Sequence, residues 1–309
     1  MKYGATRDNV LAITAITGTG ELVQFGAATT KGATGYDLSR LLIGSEGTLA
    51  LIVEATLKLT PLAPERRALR ALYRDVNSAV AAVARLMAQP VTPSMLEFMD
   101  GECVRLAREH MSENGGGDLP EAGALLMIEA DGNAATLPSA VAALERAAQG
   151  YGCIEVASAP DEAARERLWA ARKALSPALR TIAPGKINED VVVPVSRLPE
   201  LVTRVQAIAA EMRLKIVCFG HAGNGNLHVN ILYDSANIEE SLRANKALAQ
   251  IFTTTIDLGG QLSGEHGIGL AKRDFMAQAL SAETLATMRA IKHAFDPDGI
   301  LNPGKVLPE

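Results

Sequence analysis

Apolar and polar residues alternate from Val10 to Gly26 on both sides of Gly18–Gly20, a pattern that predicts a β-hairpin. A glycine-rich stretch follows from Lys31 to Tyr36. The β-branched, largely apolar run from Thr48 to Leu59 then predicts a further strand, closed by Pro61 and Pro64. Prolines and charges replace the strand pattern from Leu62 to Arg66, which places a domain boundary there. Beyond it the periodicity changes. Short apolar runs at Ala68–Tyr73, Ala124–Glu129, Cys153–Ala157, Asn188–Val193, Leu214–Phe219 and Leu227–Tyr233 predict strands. Stretches with apolar residues three and four apart predict amphipathic helices at Val76–Met87, Ala135–Gln149, Pro160–Arg180, Leu198–Met212, Ile238–Leu258 and Ala282–Ala294. Strands interleaved with helices, ending in a hairpin over 214–233, predict an α+β fold. Its sheet is mixed or antiparallel, with helices on one face and a helical segment at the C-terminus. Residues Met111 to Gly123 read as a surface loop without assigned function, and no internal repeat is visible.

Composition narrows the class. Of 309 residues, 48% are hydrophobic and 21% charged, which excludes a disordered chain and provides a full core. A net charge of −5 gives no basic footprint for nucleic acid. The most apolar segment, Leu41 to Leu59, is interrupted by Glu46, Glu54 and Lys58, so no transmembrane segment is expected. The start lacks a basic-then-apolar leader pattern, and a cytoplasmic location is expected, with peripheral membrane association through an electron acceptor as the alternative. Cys103, Cys153 and Cys218 lie far apart and form no CxxC, which excludes a disulfide framework and a thiolate zinc site.

Three of the five histidines, His221, His228 and His266, fall close together in the C-terminal half. His221 and His228 flank the turn-forming segment AGNGNL, so they stand at the mouths of a predicted hairpin. Cross-strand Cβ separations of about 4.5–5.5 Å let two such imidazoles reach one ion. Glu265 lies beside His266 in a second glycine-rich turn. Two histidines, one carboxylate and an open position describe a catalytic divalent site, although each residue is also an ordinary polar side chain near a strand end. Arg172 and Ser176, four apart on one predicted helical face, and Lys186 on the following strand are candidates for holding a carboxylate. From spacing alone, a solvated charged helix face explains Arg172 and Ser176 better.

Four segments, GSEGTLALIVEATLKL, GHAGNGNLHVNI, SGEHGIGLAKRDFM and FDPDGILNPGKVLP, resemble the FAD-linked 2-hydroxyacid dehydrogenase and oxidase family, in that order along the chain. Its members include D-lactate dehydrogenase, D-2-hydroxyglutarate dehydrogenase and the glycolate oxidase flavin subunit. The resemblance implies that residues 1–62 are the C-terminal part of a FAD-binding domain of the vanillyl-alcohol-oxidase type. Residues 63–309 would be the substrate and metal domain, with 295–309 returning to the flavin domain. It further implies that Gly44, Ser45, Glu46, Gly47, Thr48, Ile52, Val53, Asn302 and Lys305 contact FAD. His221, His228 and Glu265 would bind a divalent metal, zinc being expected. Arg172, Ser176, Lys186, Asn230 and His266 would contact substrate, with His266 as the catalytic base. Ser176 replaces the usual threonine. The implied activity is flavin-dependent oxidation of a D-2-hydroxy acid to the 2-oxo acid, FAD accepting the hydride. Implied partners are that small acid, an electron acceptor left open, and a chain supplying the rest of the flavin domain, because the segment that cradles the FAD pyrophosphate does not occur in 1–60. A flavin-free metal-dependent hydrolase, or an inactive or split subunit of the flavoenzyme, are the alternatives.

Overall fold

A computed structural model describes residues 1–113, 119–159 and 161–308. The chain divides into two compact units: Tyr3–Leu62 together with Glu265–Glu309, and Met1–Lys2 together with Ala63–Gly264. The return of the chain to the first of these thus begins at Glu265, thirty residues before the expected 295, because the segment from Glu265 packs with the N-terminal strands.

The smaller unit opens with α1 (Thr6–Asn9), β1 (Val10–Thr17), β2 (Leu22–Gly26), α2 (Leu38–Leu42) and β3 (Ala50–Leu57). Its sheet has the order β2-β1-β3, and β1–β2 is the hairpin the alternation predicts, with Ile13 opposite Phe25. Ile13, Ala15, Leu42, Leu49 and Ala50 form its small core, with Phe25, Ile291 and Phe295 packed against it.

The larger unit runs β4 (Glu65–Tyr73), α3 (Val76–Ala88), β5 (Met95–Asp100), α4 (Gly101–Glu113), β6 (Ala124–Gly132), α5 (Leu137–Ala148), β7 (Cys153–Ala159), α6 (Glu162–Ile182), β8 (Gly185–Val192), α7 (Leu198–Met212), β9 (Lys215–Gly220), β10 (Asn226–Tyr233) and α8 (Ile238–Asp257). The chain closes in the smaller unit with α9 (Met276–Ala279) and α10 (Ala282–Phe295). The large sheet is antiparallel throughout its named pairs, in the order β7-β4-β6-β5-β9-β10-β8.

That order is two similar halves laid side by side. In the first, β4-α3-β5 and β6-α5-β7 interleave; in the second, β8-α7-β9 and β10-α8 repeat the scheme without a last strand. The halves meet where β5 pairs with β9, through only Phe98↔Gly220 and Met99↔Phe219.

Helices α5, α3, α7 and α8 pack in a row over one face, above fully buried Leu96, Phe98, Leu126, Ile128, Val229 and Ile231. Helices α4 and α6 pack on each other and on the other face, with Met99, Met127, Val217, Phe219 and Leu232 in their core. Helices therefore lie on both faces rather than one. Met111, expected in a loop, lies in the last turn of α4 inside that core, while residues 114–118 of the same expected loop lie outside the described residues. In the larger unit, β5 and α4 are absent from the elements the periodicity predicts, as are the short α1, α2 and α9 of the smaller one. Among the described residues, no helix is long and apolar enough to cross a membrane.

Candidate functional site

The face of the large sheet left beside α4 and α6 carries polar side chains. On β10, His228 and Asn230 share the face of core Leu232, because strand residues alternate sides. Their partners on β8 are Asp190 and Asn188, with Lys186 opposite Leu232, so one stripe holds Lys186, Asn188 and Asp190. Asn230 is fully buried; its Nδ2 donates to His228 O at 3.3 Å, while its Oδ1 has no protein partner among the described residues. An acceptor buried without a partner is costly and marks a place for a ligand donor. Asp190, also fully buried, accepts from Ser263 Oγ at 3.1 Å and from Gly264 N at 2.8 Å. These bonds bring the segment after α8 onto the same stripe.

His221 follows β9, at the start of the β9–β10 turn. Gly225 closes that turn with φ of 73°, and a Cβ there would lie 2.0 Å from Val193 O, so only glycine fits. The rings of His221 and His228 stand edge-on, centroids 5.5 Å apart. Glu265 is joined by one peptide bond to the anchored Gly264. His221 and His228, both of the larger unit, thus present two imidazoles at one end of the β9–β10 hairpin. Two neighbouring imidazoles suit a borderline divalent ion that takes its remaining ligands from elsewhere.

The structure adds a residue that the sequence reading did not find. Glu97 on β5 stands one step beyond the Phe98↔Gly220 pair, which puts it opposite His221. Its side chain is buried; Oε1 accepts a hydrogen bond from His221 Nδ1, and Oε2 accepts one from Arg172 Nε at 3.0 Å. Burial pushes the Glu97 carboxyl up, but the hydrogen bond from His221 and the charge of Arg172 beside it outweigh burial, and its pKa lies below the ordinary value. Arg172, on α6, also lies over the ring of Phe219, 4.5 Å from its centroid.

One and two helical turns before it, Trp169 Nε1 and Arg165 Nη1 donate to buried Glu129 of β6, at 3.2 and 2.9 Å. Thus α6 docks on two buried sheet carboxylates, and its charged stripe faces inward. The solvated-face reading of Arg172 is corrected accordingly. The side chain of Ser176 lies outside the described residues. Lys186 is exposed and stands four residues along β8 from Asp190, about 13 Å of strand.

The implied FAD contacts lie in the smaller unit. Gly44 and Gly47 have positive φ (89° and 70°), and a Cβ at Gly47 would meet nothing within 4 Å, so a flat ligand can approach this backbone closely. Ser45 and Thr48 close the turn, Thr48 N and Oγ1 both donating to Ser45 O. The Glu46 carboxylate serves the protein itself: Oε1 accepts from Ile268 N at 2.7 Å and Oε2 from Gly269 N at 2.8 Å. Asn302 Nδ2 donates to Glu46 O at 2.6 Å, which ties the NPGK segment to GSEGT; the Lys305 ammonium is bonded to Pro303 O. Ile52 and Val53 are exposed on β3, and Val53 is the extra residue of a bulge between Ala15↔Ile52 and Thr14↔Glu54. His266 Nε2 lies 4.0 Å from Glu265 Oε1.

A sequence model of the family described as "FAD linked oxidases, C-terminal domain" matches residues 62–306. The glycolate oxidase subunit GlcD of Bacillus subtilis is 38% identical over 99% of this chain and 64% of its own length. A D-lactate dehydrogenase of Anaerostipes hadrus is 35% identical over 99% of the chain and 66% of its own length. A D-2-hydroxyglutarate dehydrogenase of Xanthomonas citri is likewise 35% identical, over 99% of the chain and 65% of its own length. The chain therefore spans about two-thirds of these relatives. Among solved structures, 4-ethylphenol oxidase from Gulosibacter chungangensis shares the fold with a TM-score of 0.75 at 16% identity, over 97% of this chain and 66% of that one. p-Cresol methylhydroxylase shares it at 0.73 and 14% identity, over 96% and 65%.

Proposed function

The chain belongs to the FAD linked oxidases through their C-terminal domain, and from that premise we propose that it acts in the oxidation of a short D-2-hydroxy acid, of the D-lactate or D-2-hydroxyglutarate type, to the 2-oxo acid. The observation that carries the reading is the pair of edge-on imidazoles, His221 and His228, beside an arginine tied to the same carboxylate as His221.

The Arg172 guanidinium takes the substrate carboxylate, the one group all such acids share; its planar fork matches two carboxylate oxygens. Asn230 Oδ1, buried and unmatched by protein, accepts a hydrogen bond from the substrate. His266 accepts the hydroxyl proton as the C2 hydrogen departs. His221, His228 and Glu265 hold a divalent ion, zinc being the best fit to two imidazoles and a carboxylate. Such an ion supplies a Lewis acid for the substrate hydroxyl. The GSEGT turn, with its uncrowded Gly47, and the NPGK segment meet the flavin. When bound, FAD supplies the hydride acceptor, and the protein supplies position.

The test is purification of the complete polypeptide. Flavin absorbance near 450 nm, and its bleaching by D-lactate, D-2-hydroxyglutarate or glycolate under anaerobic conditions, is the expected result; about that wavelength is where oxidised flavin absorbs. A colourless, fully folded protein that hydrolyses esters or amides in a metal-dependent way would overturn the reading.

A further inference from the structure

Glu97 belongs to none of the motifs that resemble the family, yet it is the residue at which the two functional groups of the larger unit join. Its side chain is 4% exposed, and each of its oxygens holds a different partner. An ionised carboxylate only accepts hydrogen bonds, so its bond to His221 requires the proton on Nδ1 and leaves the ring's lone pair on Nε2. A carboxylate behind a histidine is the arrangement that fixes tautomer and ring direction in metal-binding histidines. The second oxygen takes Nε of Arg172 and so fixes the guanidinium plane by its inner nitrogen. The outer pair, Nη1 and Nη2, is the end left to meet a carboxylate two-on-two. The backbone explains how one residue reaches both. The β5–β9 ladder stops at Phe98↔Gly220, and the next opposed pair, Glu97 and His221, is linked by side chains instead of main chain.

We propose that Glu97 is the positioning residue of the site, one carboxylate that orients His221 toward the ion and Arg172 toward the substrate carboxylate. This rests on the metal and substrate roles given above to His221 and Arg172. It predicts coupled damage from a change at a single atom. In Glu97→Gln one acceptor oxygen becomes an NH2 donor, which opposes either the His221 Nδ1–H or the Arg172 Nε–H.

The test uses the complete polypeptide with its flavin, as wild type, Glu97→Gln and Glu97→Ala. Three quantities are read: zinc affinity by competition with a chromophoric chelator, pyruvate affinity of the metal-free protein by calorimetry, and thermal midpoint. Zinc affinity is expected to fall 10- to 100-fold, the usual loss when the group behind a ligating histidine is removed. Pyruvate affinity should fall by about tenfold, because Arg172 loses its fixed plane. Glu97→Ala should give both losses in full. A lowered midpoint with both affinities unchanged would make Glu97 structural and overturn the proposal, as would loss in one affinity alone in Glu97→Ala. Failure of the wild type itself to bind zinc would refute the metal reading, and the pyruvate measurement would still decide the Arg172 half for Glu97.

Discussion

Asp100 ends β5 three residues after Glu97, inside the core and 4% exposed. Its carboxylate accepts from Cys103 N at 2.8 Å, capping α4, and from Cys218 N at 2.6 Å on β9. Burial nonetheless dominates and pushes its pKa up from 3.8 to about 6, the two backbone hydrogen bonds recovering only part of the loss. A raised carboxyl pKa means that the folded state prefers the protonated form. Above pH 6 both states are ionised and the buried charge costs stability. As pH falls below 6 the folded state takes up its proton first and stability rises, until the unfolded chain is protonated too, below about 3.8. A rise of this size corresponds to about 3 kcal/mol, of which about 2 kcal/mol is regained by pH 4.5. Glu97 works in the opposite sense, its lowered pKa making it destabilising on acidification, so the quantity to measure is a difference. Urea denaturation of wild type and Asp100→Asn at pH 7.5 and 4.5 isolates it. The wild type should gain about 2 kcal/mol on the variant between these values. Parallel pH profiles would show that Asp100 is ionised without penalty, and would refute the account.

Replacing Glu46 with Ala removes the acceptors of Ile268 N and Gly269 N, at about 1.5–3 kcal/mol for each bond to a charged group, and should speed hydrogen exchange at those two amides; unchanged exchange would refute the latch. Arg172→Lys substitutes a point charge for a fork and should raise KM for the hydroxy acid about tenfold with little change in kcat, whereas a fall in kcat alone would contradict a binding role. His266→Ala should lower kcat by about 10²–10⁴ while 2-oxo acid binding persists, and near-normal turnover would remove it from the base role.

Much of this was legible where one physical signal acts alone. Alternation over Val10–Gly26 and the Gly/Asn turn between His221 and His228 specify hairpins, and both form. The family resemblance then supplied roles that spacing leaves open. The β5 strand was not legible because Glu97 and Asp100 interrupt its apolar run Met95–Asp100, and charges inside a six-residue window erase the strand pattern. Their burial depends on partners far away in sequence, Arg172 and His221 for one, Cys103 and Cys218 for the other. Arg172 misled for the same reason: a helix rich in Glu and Arg reads as solvated until the sheet carboxylates beneath it are known. The doubled topology left no sequence repeat, since two halves need only share a burial pattern, not residues.

The short β5–β9 ladder has a consequence for how this sheet accommodates chemistry. A fully zipped seam would consume every main-chain group along it and present a smooth wall. With two rungs only, side chains take up bonding at both ends of the ladder: Asp100 catches the amide of Cys218 at one end, Glu97 catches His221 at the other. The join between the halves is thus sutured by carboxylates, and a seven-stranded sheet carries polar side chains in its middle while its opposite face stays apolar.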